Sequence, residues 1–137
     1  MTRTFRFNRK AWAPIVVAKL TGKTGSNLKV SLIFDTGAAM TQFNTAVIDD
    51  LGYSAASDGA HMVSAVGPAG PLQTGYAFHL REIEVLGRYF TSPLVAAYDF
   101  DNYSDRGTKI GGLLGFDLIK EFHLEMNGAK GELIVFE

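Results

Sequence analysis

Among 137 residues, one carboxylate stands where chemistry could be done. Phe34-Asp35-Thr36-Gly37-Ala38 closes the apolar run Leu28 to Phe34. An Asp placed there, followed by a small hydroxyl residue and Gly, is held in a tight turn. Gly37 lets the backbone pass where a side chain would clash, and Thr36 can hydrogen-bond locally and brace its neighbour. A carboxylate so presented can take or give a proton. The same residues also suit an Asx turn that merely ends a strand, so the turn alone leaves both readings open. A second feature follows downstream. Ile110-Gly111-Gly112-Leu113-Leu114-Gly115-Phe116-Asp117-Leu118-Ile119 places two bulky apolar residues and a Gly before a short helical stretch. Leu113 and Leu114 can wedge beneath the Asp35 turn while Gly115 allows close backbone approach. Ordinary core packing before a helix reads the same way.

Other constellations carry less. His61, His79 and His123 lack ligand spacing, so no metal site is expected. Asp99, Asp101, Asn102 and Asp105 suggest a calcium loop, but Tyr103 and Ser104 stand where a ligand and a Gly are required, and Ile110 replaces the final Glu. Gly111-Gly112 with Gly115 mimics part of a dinucleotide fingerprint at the wrong spacing, without a parallel βαβ pattern or a phosphate-cradling lysine. No strained Ser elbow supports a Ser-His-Asp arrangement. With no cysteine, disulfide scaffolds, thiolate zinc sites, iron–sulfur clusters and a cysteine nucleophile are all excluded.

The elements that must position Asp35 read as β structure. Fifteen Gly and four Pro fall between short apolar runs, which is turn punctuation at strand spacing. Leu28, Val30, Leu32 and Phe34 alternate with Lys29, Ser31 and Ile33, one apolar face of a strand. Ile15 to Ala18 precede it across the turn Thr21 to Asn27. Val63 to Val66 and Leu72 to Leu80 flank Gly67-Pro68-Ala69-Gly70-Pro71, a hairpin whose tip cannot be regular sheet because Pro donates no ladder bond. Ile83 to Leu86, a turn at Gly87-Arg88, and Tyr89 to Tyr98 add two strands. Phe122 to Met126 and Leu133 to Phe136 form a last pair joined through Asn127-Gly128. Two short helices fit: Thr45 to Leu51, with Asn44 or Thr45 as N-cap and Gly52 as stop, and Phe116 to Glu121. The stretch Asp99 to Gly107 is the least regular.

Length argues for one domain spanning residues 1–137, large enough to bury a core without staples. Hydrophobic residues at 47% and charged residues at 20% exclude a disordered chain. Thirteen basic residues against fourteen acidic ones, net −1, give no basic excess to hold nucleic acid or an anionic membrane. The aromatic residues sit in strand patterns and suit a core better than a base-stacking platform. No apolar run approaches the length of a membrane span. Ala11 to Leu20 is interrupted by Pro14 and Lys19 and reads as a strand rather than a signal core, so the expected location is cytoplasmic.

Asp35-Thr36-Gly37-Ala38, the Gly-rich hairpin Val63 to Tyr76, and Leu113-Leu114-Gly115 with its short helix together resemble a retropepsin-like (retroviral-type) aspartic protease. Their order and spacing match over about residues 13 to 125. The resemblance implies an all-β, closed β-barrel-like fold with one or two short helices, acting as a homodimer without metal or cofactor. It implies Asp35 as the catalytic carboxylate, Thr36 bonding across the two-fold axis, and Gly37 offering its carbonyl to substrate. Substrate would be an extended, largely apolar peptide held as an added strand. Ala38, Ala39, Met40, Leu114 and the flap residues Val66, Gly67, Pro68, Ala69, Gly70 and Leu72 would line its path. Chemistry asks for the dimer too. Peptide hydrolysis of this type needs two carboxyls in contact sharing one proton, and this class of enzyme is the standard illustration of that coupling. Only one Asp-Thr-Gly is present, so one chain supplies half a site. Retroviral enzymes commonly carry Asp after the Asp-Thr-Gly-Ala run and Arg after the later Gly. Here Ala39 and Phe116 stand there, both partners of an ion pair replaced together. The alternative function is a catalytically inactive module of the same fold that dimerises or binds peptide.

Overall fold

A computed structural model describes residues 1–58, 61–66, 72–99, 103–105 and 107–137. The strands are β1 (Thr2–Arg6), β2 (Ile15–Thr21), β3 (Asn27–Phe34), β4 (Gln42–Asn44), β5 (His61–Val66), β6 (Leu72–His79), β7 (Glu82–Val85), β8 (Arg88–Thr91), β9 (Leu94–Tyr98), β10 (Tyr103–Asp105), β11 (Thr108–Leu114), β12 (His123–Asn127) and β13 (Glu132–Phe136). Two short helices, α1 (Thr45–Asp50) and α2 (Phe116–Ile119), complete the described chain. The fold is all-β.

Alternation decides the faces. In β2, Val16, Ala18 and Leu20 are buried while Val17 is exposed, and in β3 Val30, Leu32 and Phe34 are buried. The two strands pair antiparallel from Ile15↔Ile33 to Thr21↔Asn27, which puts their buried sets on one side. This side meets Phe43, Val95, Ala97, Ile83, Val85, Leu118 and Ile119 in a shared core. The larger sheet has ten strands in the order β5-β6-β9-β4-β11-β3-β2-β7-β8, with β10 added on β11. It curls around this core in barrel-like fashion, and among the described residues its end strands β5 and β8 do not pair with each other.

The central arrangement is β3-β11-β4. β11 runs parallel to β3, with Leu114 opposite Phe34, and antiparallel to β4, with Gly112 opposite Phe43. The chain therefore leaves β3 at Asp35, passes over the end of β11 and returns on its other side. This close threading explains Gly111-Gly112. A side chain on Gly112 would press into the carbonyl of Gln42, and one on Gly111 into Val30. The doublet serves strand packing.

The expected helix at Thr45 forms with Asn44 as N-cap, its side chain accepting from the Ala46 amide at 3.2 Å. Gly52 follows at φ +86. Tyr89 to Tyr98 breaks at Ser92-Pro93 into β8 and β9. The last hairpin differs from the tight Asn-Gly turn. Asn127 still belongs to β12, pairs with Glu132, and accepts from the Lys130 amide, so the loop is Gly128 to Gly131 with Gly131 at φ +66. An Asn side chain that caps the turn favours this longer loop over a two-residue one. The amino-terminal segment, left unassigned by patterning, forms β1. It pairs with β13, which also pairs with β12, giving a separate three-stranded sheet within the chain. Leu133 and Val135 anchor that sheet to the core, and Arg88 lies over Phe90 and Phe122 at their junction.

Candidate active site

Asp35 follows β3 directly and is tied at both ends. Its amide donates to the Leu114 carbonyl at 3.0 Å, and its own carbonyl accepts from the Ala38 amide at 3.2 Å. Carboxylate Oδ1 accepts from the Gly37 amide at 2.9 Å. The Asx turn is thus real, and it fixes one carboxylate oxygen. Oδ2 has no partner among the described residues, and Asp35 keeps part of its surface. Thr36 and Gly37 are exposed beside it. The geometry gives a carboxylate held through one oxygen, on a side chain that keeps part of its surface exposed.

The turn rests on a second strand of polar contacts that patterning overlooked. Thr41 is fully buried. Its hydroxyl donates to Asp117 Oδ1 at 2.8 Å and accepts from the Gly115 amide at 3.0 Å. Its amide donates to both Asp117 oxygens at 3.0 Å. Asp117 also accepts from the Leu118 amide at 3.0 Å. A buried hydroxyl and a carboxylate are costly unless fully bonded, and these are. The Phe116 amide donates to the Ala38 carbonyl at 2.7 Å. Segments 35–41 and 114–118 are therefore laced along their length, with Gly115 needed because a Cβ would lie 2.5 Å from the Met40 carbonyl carbon and 2.8 Å from the Thr41 nitrogen. An acidic residue in the first turn of a helix was the available signal for Asp117. Thr41 carried none, since one hydroxyl in a small-residue run looks like loop.

The remaining candidate residues distribute as follows. Ala38 is buried in the turn and Ala39 is exposed. Met40 lines a cavity of about 480 Å³ with Phe90, Pro93, Leu94 and Leu118, a cavity that Asp35 does not line. Tyr89 also borders this cavity, and a hydrogen bond to Glu84 holds its phenol above the usual pKa of 10.0. Leu114 has no accessible side-chain surface; it reaches the site through its carbonyl. Its neighbour Leu113 is half-buried and pairs with half-buried Ile33 on the opposite face of the sheet. Val66 and Leu72 are cross-strand partners at the end of the β5–β6 hairpin. Gly67, Pro68, Ala69, Gly70 and Pro71 lie outside the described residues. So do Asp101, Asn102 and part of the acidic loop. Among the described residues no three His, Asp or Glu side chains gather as a metal cluster, and no helix is long and apolar enough to cross a membrane.

Solved structures share this fold. A retropepsin-like aspartic protease from Rickettsia conorii superposes with a TM-score of 0.67 at 18% identity, covering 98% of this chain and 90% of that one. EIAV protease in complex with the inhibitor HBY-793 superposes with a TM-score of 0.57 at 16% identity, covering 80% of this chain and 86% of that one. No curated protein sequence matches the chain. The aspartyl protease family profile matches residues 18–118, which span β3, the Asp35 turn and the laced segment through α2, and the chain belongs to that family.

Proposed function

We propose that the protein is an aspartic endopeptidase whose active unit is a homodimer, with one Asp35 from each copy. The observation that carries this reading is the Asp35 turn itself: a carboxylate fixed through Oδ1 by Gly37 and through its backbone by Leu114, on a partly exposed side chain. One such group cannot serve as both base and acid, and no second Asp-Thr-Gly exists in the chain. Two copies related by a two-fold axis supply both. One carboxylate takes a proton from water, whose oxygen attacks the peptide carbonyl carbon. The protonated partner donates a hydrogen bond to the carbonyl oxygen. The tetrahedral centre then collapses, the C–N bond breaks, and the departing nitrogen receives a proton.

In this scheme Thr36 bonds between the copies and the Gly37 carbonyl receives the substrate backbone. Ala38 and Ala39 border the path of an extended peptide. Leu114 holds the turn from below, and Leu113 with Ile33 supplies the apolar wall. Membership of the aspartyl protease family and the likeness of fold support the reading. The test is Asp35→Asn assayed against a mixed peptide library. Cleavage disappears while the circular dichroism spectrum and thermal midpoint stay close to wild type. Undiminished cleavage by this variant overturns the assignment of the site.

A further inference from the structure

Resting on the two-copy reading above, we infer that Phe116, flanked by Ala39, is the apolar contact through which a second copy of this chain seats against the Asp35 turn. The placement is fixed by backbone bonds. Asp35 N–H donates to Leu114 at 3.0 Å, and Phe116 N–H donates to Ala38 at 2.7 Å, so Phe116 lies alongside the turn. It is 48% exposed, whereas Leu114, Leu118 and Ile119 around it are buried. Ala39, on the facing segment, is exposed as well. The surroundings carry little charge. Residues 36–41 include no ionisable side chain, and Asp117 directs its carboxylate to Thr41. A partner that brings its own Asp35 into contact with this one must cover this turn. What it meets beside the two acids includes a phenyl ring and a methyl group, and the adjacent Asp117 carboxylate is already bonded to Thr41. By two-fold symmetry each such contact is made twice.

The experiment is sedimentation velocity across a concentration series, run beside peptide cleavage at the same enzyme concentrations, on wild type, Phe116→Ala, Phe116→Met and Met126→Ala. Met126, on β12, is also 48% exposed and serves as a matched control. Phe116→Ala is expected to raise the dimer dissociation constant about tenfold to a hundredfold, as expected for two partly exposed aromatic side chains that no longer become buried. Its cleavage rate falls at low concentration and recovers at high concentration. Phe116→Met restores most of the association, and Met126→Ala leaves it unchanged. A Phe116→Ala dissociation constant within twofold of wild type, or an equal loss in Met126→Ala, overturns the contact. Wild-type cleavage by a monomer at every concentration overturns the two-copy reading as well. Cleavage retained by Asp35→Asn overturns the catalytic assignment alone, and sedimentation still decides the role of Phe116.

Discussion

Replacing Thr41 by Val removes one hydroxyl and almost no volume, so it isolates the polar lacing beneath the Asp35 turn. Two bonds go. The first is the donation to Asp117 at 2.8 Å, a bond to an ionised group of a kind worth about 1.5–3 kcal/mol. The second is the acceptor for the Gly115 amide, at 3.0 Å in a buried position, and stranding such a donor costs about 1–3 kcal/mol. The two share one oxygen and do not add fully, and the new methyl returns part of the loss. The net expectation is about 3 kcal/mol of destabilisation. With a urea m-value of about 2 kcal/mol/M for a chain of this size, the midpoint falls by about 1.5 M. Thr41→Ser keeps the hydroxyl and loses one methyl, at a cost of about 1 kcal/mol. Urea titration followed by Trp12 fluorescence and far-ultraviolet circular dichroism measures all three proteins. If Thr41→Val stays within 1 kcal/mol of wild type, or Thr41→Ser falls as far, the hydroxyl does not hold segments 35–41 and 114–118 together and the reasoning fails.

Two further substitutions probe other parts of the frame. Gly115→Ala forces a methyl against the Met40 carbonyl carbon at 2.5 Å and the Thr41 nitrogen at 2.8 Å, backbone atoms that cannot swing away. A loss of about 2 kcal/mol or more is expected, read as a fall of several degrees in the calorimetric midpoint, and an unchanged midpoint contradicts the close approach. Asp58→Asn tests a pH-dependent contribution. The Lys23 ammonium, 2.7 Å away, together with the Ser54 amide at 2.6 Å, holds the Asp58 carboxyl below its usual 3.8. A depressed folded pKa stabilises the native state above the unfolded value, and that contribution is lost as pH falls through the folded one. Wild type and Asp58→Asn should differ near neutral pH and converge at strongly acid pH in urea titrations. A gap that stays constant down to about pH 2 refutes the assignment.

How much of this was legible in the residues depended on which physics each part uses. Period-two alternation in Leu28 to Phe34 marked β3 and its buried face, because one side of the strand meets the core and the other does not. Turn chemistry marked the ends of α1 and both hairpin regions. The Asp35 turn stood out because its residue types are rare together at the end of an apolar run. Long-range contacts were hidden. The Thr41–Asp117 bonds join residues 76 apart, and no local pattern announces them. Leu113 and Leu114 looked interchangeable in sequence. Their roles separate only once β11 is sandwiched between β3 and β4, which turns Leu114 into the core and Leu113 to the other face. The residues Met1 to Arg6 alternate charge and hydroxyl groups about a single Phe. They become a strand because β13 offers an edge, a property of the far end of the chain.

That pairing has a practical outcome for protein engineering. The Glu137 amide donates to the Met1 carbonyl at 2.9 Å, and the Glu137 carboxylate meets Arg3 at 3.1 Å. Residues 1 and 137 are adjacent, so a few glycines suffice to splice residue 137 to residue 1 into a covalent ring. New ends could then be opened at the solvent-facing bend of Lys23 to Gly25, and the Asp35 turn would keep every neighbour it has now.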